Sequence, residues 1–231
     1  MIFITGDVHC PYDIQKLNTK SWPAQKELTR DDYLIVCGDM GIVWGDNDKE
    51  DRYWQQWFES KPYTTLFVDG NHENHVKLNS YLVEEWKGGN VHKIRPHVYH
   101  LMRGQIYEID GLKVLSMGGA ASHDKHFRTE GIDWWAEEMP SDVDYDEAIK
   151  NLQRHNWQVD MIISHCTADS VQKELAYWYE HDKLTNFFEA IVKTQVEYGH
   201  WYFGHYHVDI DIDDKHHGVY NEIREVEIKD D

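Results

Sequence analysis

Short apolar runs that stop abruptly at Gly, Asp, Asn or His recur along the chain. Ile2-Phe3-Ile4-Thr5 stops at Gly6-Asp7-Val8-His9, Tyr33-Leu34-Ile35-Val36-Cys37 at Gly38-Asp39, and Thr64-Thr65-Leu66-Phe67-Val68 at Asp69-Gly70-Asn71-His72-Glu73. Met161-Ile162-Ile163-Ser164 stops at His165, and Trp201-Tyr202-Phe203 at Gly204-His205-Tyr206-His207. Runs this short, rich in β-branched and aromatic residues and bounded by turn formers, predict buried strands that each deliver polar side chains to a loop.

Between them the pattern predicts helices over 13–20 and 24–28, forming a strand, crossover helix, strand unit with the first two runs. A helix over 48–60 places Tyr53, Trp54, Trp57 and Phe58 at helical spacing as core, and a short one covers 74–81. Gly88-Gly89-Asn90 marks a turn before 91–95, and 99–102, 105–109 and 112–117 read as antiparallel strands of a second sheet. The stretch 118–128 is rich in small and polar residues and reads as a loop at strand ends. Trp134-Trp135 and Glu137-Glu138 begin a helix or lid that Pro140-Ser141-Asp142 breaks, and a helix over 144–155 leads into the strand 159–164. Helices over 171–179 and 183–197 follow. Alternation at Val208, Ile210 and Ile212, then at Val219, Ile223, Val226 and Ile228, predicts closing strands around Asp213-Asp214-Lys215. No repeat or Pro/Ser linker interrupts the chain, so one domain over 1–231 is expected.

The residues at the strand ends are hard-to-borderline metal donors, suited to Mn, Fe, Zn, Ni or Mg. In extended backbone, residues two apart point to the same side, so Asp7 with His9, and His205 with His207, are each expected to aim a pair of donors at one place. The ordered set Asp-x-His, Gly-Asp, Gly-Asn-His-Glu, a lone His after a strand, and Gly-His-x-His resembles the calcineurin-like metallophosphoesterase family, from Asp7 to His207.

The resemblance implies a four-layer α/β/β/α sandwich with two mixed sheets flanked by helices. It also implies two divalent cations, here expected as Mn²⁺. Asp7, His9, Asp39 and His207 would hold one, and Asp39, Asn71, His165 and His205 the other, with Asp39 bridging. Water held between the ions would supply hydroxide for attack on a phosphate mono- or diester, and His72 would assist the leaving group. Arg128, in the 118–128 loop, is the best anion clamp in the chain, with His123 and His126 as further candidate substrate contacts. Glu73 is expected to support its loop. The phosphoprotein branch of the family carries Gly-Asp-x-x-Asp-Arg-Gly, whereas here Asp39 precedes Met40-Gly41-Ile42-Val43. A small or nucleotide-like substrate is therefore expected; a phosphoprotein phosphatase, a nuclease on single strands or ends, and a scaffold that has lost its chemistry are the alternatives.

Composition narrows the partners. Across 231 residues, 23 Lys and Arg against 42 Asp and Glu give a net charge of −19, a field that disfavours stable binding to duplex nucleic acid or anionic membranes. Metal ions would reverse the sign locally for a small anionic substrate. With 16 His, many must be solvated or structural; His75, His92, His97, His100, His155, His181, His216 and His217 lack the strand-end context and are assigned so. Cys10, Cys37 and Cys166 are odd in number and read as reduced thiols. Met1 leads directly into a strand without a signal-type segment, so a soluble cytoplasmic protein is expected.

Overall fold

A computed structural model describes residues 1–45 and 48–226; Asp46 of the loop after Asp39, and Ile228 of the expected closing strands, lie outside them. The first three apolar runs form β1 (Ile2–Thr5), β2 (Tyr33–Cys37) and β3 (Thr64–Val68). They pair in parallel, with Ile4 opposite Ile35 and Ile35 opposite Leu66. β4 (Val83–Trp86), β5 (Gly89–Arg95) and β6 (Val98–Leu101) extend the sheet, β6 lying parallel to β3 and the others antiparallel to their neighbours. With β13 (Arg224–Glu225) against β1, the order is β13-β1-β2-β3-β6-β5-β4.

The second sheet begins with the hairpin β7 (Ile106–Ile109) and β8 (Leu112–Met117). β8, β9 (Gln158–Ser164), β10 (Glu197–Phe203) and β12 (His216–Gly218) are mutually parallel, and β11 (Ile210–Asp211) closes the edge. The order is β11-β12-β10-β9-β8-β7.

Strand alternation builds three apolar layers. Ile4, Ile35 and Leu66 face Val114, Met161 and Ile163 between the sheets. Their neighbours Phe3, Leu34, Val36 and Phe67 face outward onto Phe58 of α1 (Asp48–Glu59). On the far side, Leu115, Ile162 and Trp201 pack against Leu152 of α3 (Asp142–Arg154) and Phe188 of α5 (Lys183–Lys193). Full burial of each such side chain contributes about 1.5–3 kcal/mol. Because both faces of the central strands are covered, the runs read as continuously apolar. The expected four-layer α/β/β/α sandwich is the fold.

Local expectations differ in places. The expected crossover helix is two 3₁₀ turns, Ile14–Leu17 and Pro23–Glu27; Pro23 interrupts the segment and Leu17, Trp22 and Leu28 are pulled into the core layer on α1's side. Tyr53 is 59% exposed while Phe58 is fully buried, because helical spacing defines a stripe whose edge residues still face water. β4 lies in a segment whose apolar pattern is too weak to register. The expected strand over 99–102 joins the first sheet as β6, so the chain crosses between sheets at Gly104, whose φ of +72° suits the turn. The short α2 (His75–Leu78) replaces the helix over 74–81. The helix expected over 171–179 is α4 (Asp169–Leu175), and α5 stops at Lys193, so Glu197 opens β10. The lid expected at 134–138 is a 3₁₀ turn, Ala136–Glu138, with Trp135 and Glu138 buried.

Candidate active site

The parallel strands of each sheet send their C-terminal ends to one edge, where open α/β sheets present ligand-binding loops. Cys37 pairs with Val68, and Ser164 with Phe203, so the loops after them start level with one another. Those loops are not extended. Of nine described non-glycine residues with positive φ, five are predicted donors: Asp7 (+34°), His9 (+38°), Asp39 (+50°), His205 (+68°) and His207 (+51°). The two-residue periodicity expected to pair Asp7 with His9, and His205 with His207, therefore does not apply, because tight left-handed turns orient these side chains instead. Such conformations cost about 1–3 kcal/mol each and cluster at functional sites. The glycines beside them permit close approach. A Cβ on Gly70 would lie 2.0 Å from Asp39 Oδ1, and one on Gly38 would lie 2.1 Å from His165 Nδ1.

Asp39 is the hub. Its Oδ2 lies 3.1 Å from His9 Nε2 and 3.3 Å from His165 Nε2, and its Oδ1 accepts the His72 backbone N–H at 2.7 Å. Three donor sets converge, with their atoms within 4.8 Å of one another in each: Asp7, His9 and His207; His9, Asp39 and His72; and Asp7, Asp39 and His165. Asn71 joins through Oδ1, 3.1 Å from His165 Nε2. His205 lies outside the three sets. Its backbone N–H donates to Asp7, and its ring centroid is 5.0 Å from that of His165.

The imidazoles are held by their far nitrogens, which directs the near ones inward. His165 Nδ1–H donates to the Cys37 carbonyl at 2.7 Å, and His9 Nδ1–H to Asp13 Oδ2 at 2.9 Å. His207 stacks on Tyr220 at 4.7 Å between centroids. Arg128 reaches the cluster through His72, with Nη1 3.1 Å from His72 Nδ1, while pairing with Asp124 at 2.8 Å. A guanidinium only donates, so His72 Nδ1 accepts at the shorter contact; Nη2 lies 3.5 Å from Nε2 as well, so Arg128 faces both ring nitrogens. His123 and His126 are exposed; His123 stacks beside His205 at 5.7 Å, and both line a cavity of about 290 Å³ next to it. Glu73 is fully buried and accepts the Met40 N–H at 2.7 Å.

Charge and burial compete at the cluster. Burial raises the Asp39 carboxyl, but His165 and His9 outweigh it and hold Asp39 well below the usual carboxylate range. Burial lowers His165, yet Asp39 beside it wins and raises the ring to about 9. Burial and the charge of His165 push His205 well below its ordinary value. Burial also lowers His72; Asp39 opposes this and Arg128 reinforces it. Asp7 and Asp39 are 0% and 2% exposed, and imidazoles alone accompany them in the three donor sets. Hard carboxylate oxygens and inward imidazole nitrogens in this proportion fit divalent cations.

Several residues at the site carry no sequence signal. Ser122 Oγ accepts from Asn71 Nδ2 at 3.1 Å and donates to the buried Glu138, whose other oxygen takes the Ser122 N–H at 2.9 Å. That fixes the Asn71 amide with its oxygen toward His165. Lys16 donates to the carbonyls of Gly6, Asp7 and Tyr220, joining the first loop to the segment under His207. None of these pairings is local, and no spacing rule finds them. Ser122→Ala is expected to free the Asn71 amide and weaken metal affinity by about 10–100-fold, measured by competition with a chelator.

Behind the Asp69-Gly70-Asn71 turn lies a second polar cluster. Asp69 Oδ1 is 3.0 Å from His100 Nε2, and Oδ2 accepts from Arg103 Nε at 2.9 Å. Since the carboxylate accepts, His100 Nε2 donates, and its Nδ1 lies 3.0 Å from His92 Nδ1. Burial, with the neighbouring charge of His100, lowers His92 to about 4, and burial lowers His75 to about 4 as well. Unfolded histidines take protons below about 6.5, whereas these two resist until about 4. The unfolded state thus binds more protons in that window, and stability falls as pH drops from about 6.5 to 4, by the order of 3 kcal/mol per residue. The melting temperature is expected to fall across that range, with a shallower slope in His92→Gln.

The family model described as calcineurin-like phosphoesterase matches residues 1–209. The chain belongs to the calcineurin-like phosphoesterase family. It is accordingly a hydrolase that cleaves phosphoesters in a metal-dependent reaction, and its Asp and His clusters could hold the metal ions. Neither a curated protein nor a solved structure matches this calcineurin-like phosphoesterase. Among its described residues, no helix is long and apolar enough to cross a membrane.

Proposed function

We propose that the protein is a binuclear phosphatase or phosphodiesterase acting on small or nucleotide-like phosphate esters, with Mn²⁺ as its working metal. The observation that carries this reading is the placing of Asp39 Oδ2 within 3.1 and 3.3 Å of imidazoles from two different loops, the position a carboxylate shared by two cations needs. Asp7, His9, Asp39 and His207 would hold one ion, and Asp39, Asn71, His165 and His205 the other. When bound, the ions supply Lewis acidity that makes hydroxide available near neutral pH and offsets charge on the phosphoryl oxygens.

The chain's own groups do the rest. His72 stands at the leaving oxygen and offsets the charge that builds there through a hydrogen bond, while Arg128, in contact with its ring, adds positive charge at the same place. His123 and His126 stand where a substrate passing His205 would meet them. The segment after Asp39 supports a small substrate over a phosphoprotein: Met40, Ile42 and Val43 are fully buried, so this loop packs into the core instead of presenting a phosphate-gripping side chain. Three free cysteines fit a reducing, cytoplasmic setting.

Hydrolysis of 4-nitrophenyl phosphate and of bis(4-nitrophenyl) phosphate, before and after chelation, tests the reading together with metal analysis. The expected result is turnover that disappears on chelation and returns with Mn²⁺, at two ions per chain. Equal rates in stripped and loaded protein, or a single ion at full activity, would overturn it.

A further inference from the structure

A cavity of about 620 Å³ opens at the donor cluster on the His72 side, and His9, His72 and His207 line it together with Tyr12, Trp44, Asp13 and Glu50. Its size falls in the range of pockets that enclose a small molecule. Trp44 is fixed in place. Its backbone N–H donates to Asp51 Oδ2 at 3.1 Å, its carbonyl accepts from Asn74 Nδ2 at 3.0 Å, and its indole packs edge-on against the buried Trp135 at 5.2 Å. The indole lies 6.4 Å from the His72 ring, tilted by 37°. Tyr12, also at the cavity, is 82% exposed.

The charge of the lining is one-sided. Asp13, Glu50 and Asp51 contribute carboxylates, and none of the described lining residues is Lys or Arg. Asp51 is paired with Lys77 at 2.8 Å and Asp13 is bonded to His9, whereas Glu50 is exposed at the start of α1. Aromatic faces stack on flat groups and attract cations. Carboxylates accept hydrogen bonds and repel a second anion.

We propose that this cavity receives the leaving group of the substrate, and that it selects a flat leaving group bearing hydrogen-bond donors or positive charge over one carrying further negative charge. The inference rests on placing His72 at the leaving oxygen. Trp44 supplies the face and Glu50 the acceptor, so both are specificity-determining residues. A phosphate ester of an amine-bearing phenol or of a nucleoside suits the cavity; a leaving group that ends in another phosphate does not.

The test uses free leaving groups, so that it does not depend on turnover. Mn²⁺-loaded protein is saturated with inorganic phosphate, which occupies the metals, and is titrated calorimetrically with tyramine, 4-hydroxyphenylacetate, adenosine and ribose. The two phenols are near-isosteric and opposite in charge; the two sugars differ by a flat base. Tyramine is expected to bind roughly tenfold or more tightly than 4-hydroxyphenylacetate, and adenosine roughly tenfold or more tightly than ribose. Glu50→Gln, an exposed change that leaves the packing intact, narrows the first ratio, and Trp44→Leu narrows the second. Equal binding within both pairs, or ratios unmoved in both variants, overturns the inference. Failure of Mn²⁺ to confer hydrolysis of either nitrophenyl ester overturns the parent reading instead, and the binding ratios still decide what the cavity selects.

Discussion

His72→Ala is expected to lower kcat by about 10²–10³-fold, the usual worth of one donor placed where charge develops, while both metal ions stay bound. The separation of the two effects follows from geometry. It is the backbone N–H of residue 72, not its ring, that donates to Asp39 Oδ1 at 2.7 Å, and alanine keeps that bond. Arg128 loses its 3.1 Å contact to the ring but retains Asp124 and the Asp133 carbonyl, so the loop has other supports. Steady-state kinetics with metal analysis on the same preparation checks both halves. If the variant turned over an aryl phosphate at the wild-type rate, His72 would have no part in the chemistry.

Asp39→Asn should act differently, on binding itself. Positioning groups one shell out are worth about 10–100-fold in metal affinity, and removing the negative charge that two ions would share should exceed the upper figure. The metal-free protein should suffer too. Asp39 is the partner that raises His165 to about 9 despite complete burial, and breaking a buried ion pair from one side costs about 3–5 kcal/mol. The cost should be smaller above about pH 9, where His165 has already lost its proton and no buried cation is left stranded. Melting in chelator at pH 7 and pH 9.5 checks the sign. A variant that retained two ions with wild-type affinity would remove Asp39 from the centre.

Much of this site can be read along the chain because each contribution is local: an apolar run, a glycine, a donor. Asp7, His9, Asp39, His72, His165 and His207 all meet where the strand-end pattern puts them. The sequence is silent where geometry is set by distant partners. Ser122 and Glu138 reach Asn71 only because β3 and the loop after β8 share an edge, and Tyr220 reaches His207 only through the turn after β12. Periodicity misled at Tyr53 and the two-residue rule at His205, while Asp7 and His9 converge as expected but through turned backbone, because both rules assume regular backbone where the chain turns. Arg128, expected as an anion clamp, also meets His72 and Asp124, a contact that depends on how the 118–128 loop folds back.

The donors come from both sheets, and Asp7 meets the backbone of His205 across 198 residues. A growing polypeptide therefore carries an unfinished constellation until residue 207 has been made. Until the segment after β10 emerges and docks, the early carboxylates lack their late imidazole companions. A product cut short before β10 would lack those imidazoles and is expected to leave the phosphate esters around it untouched.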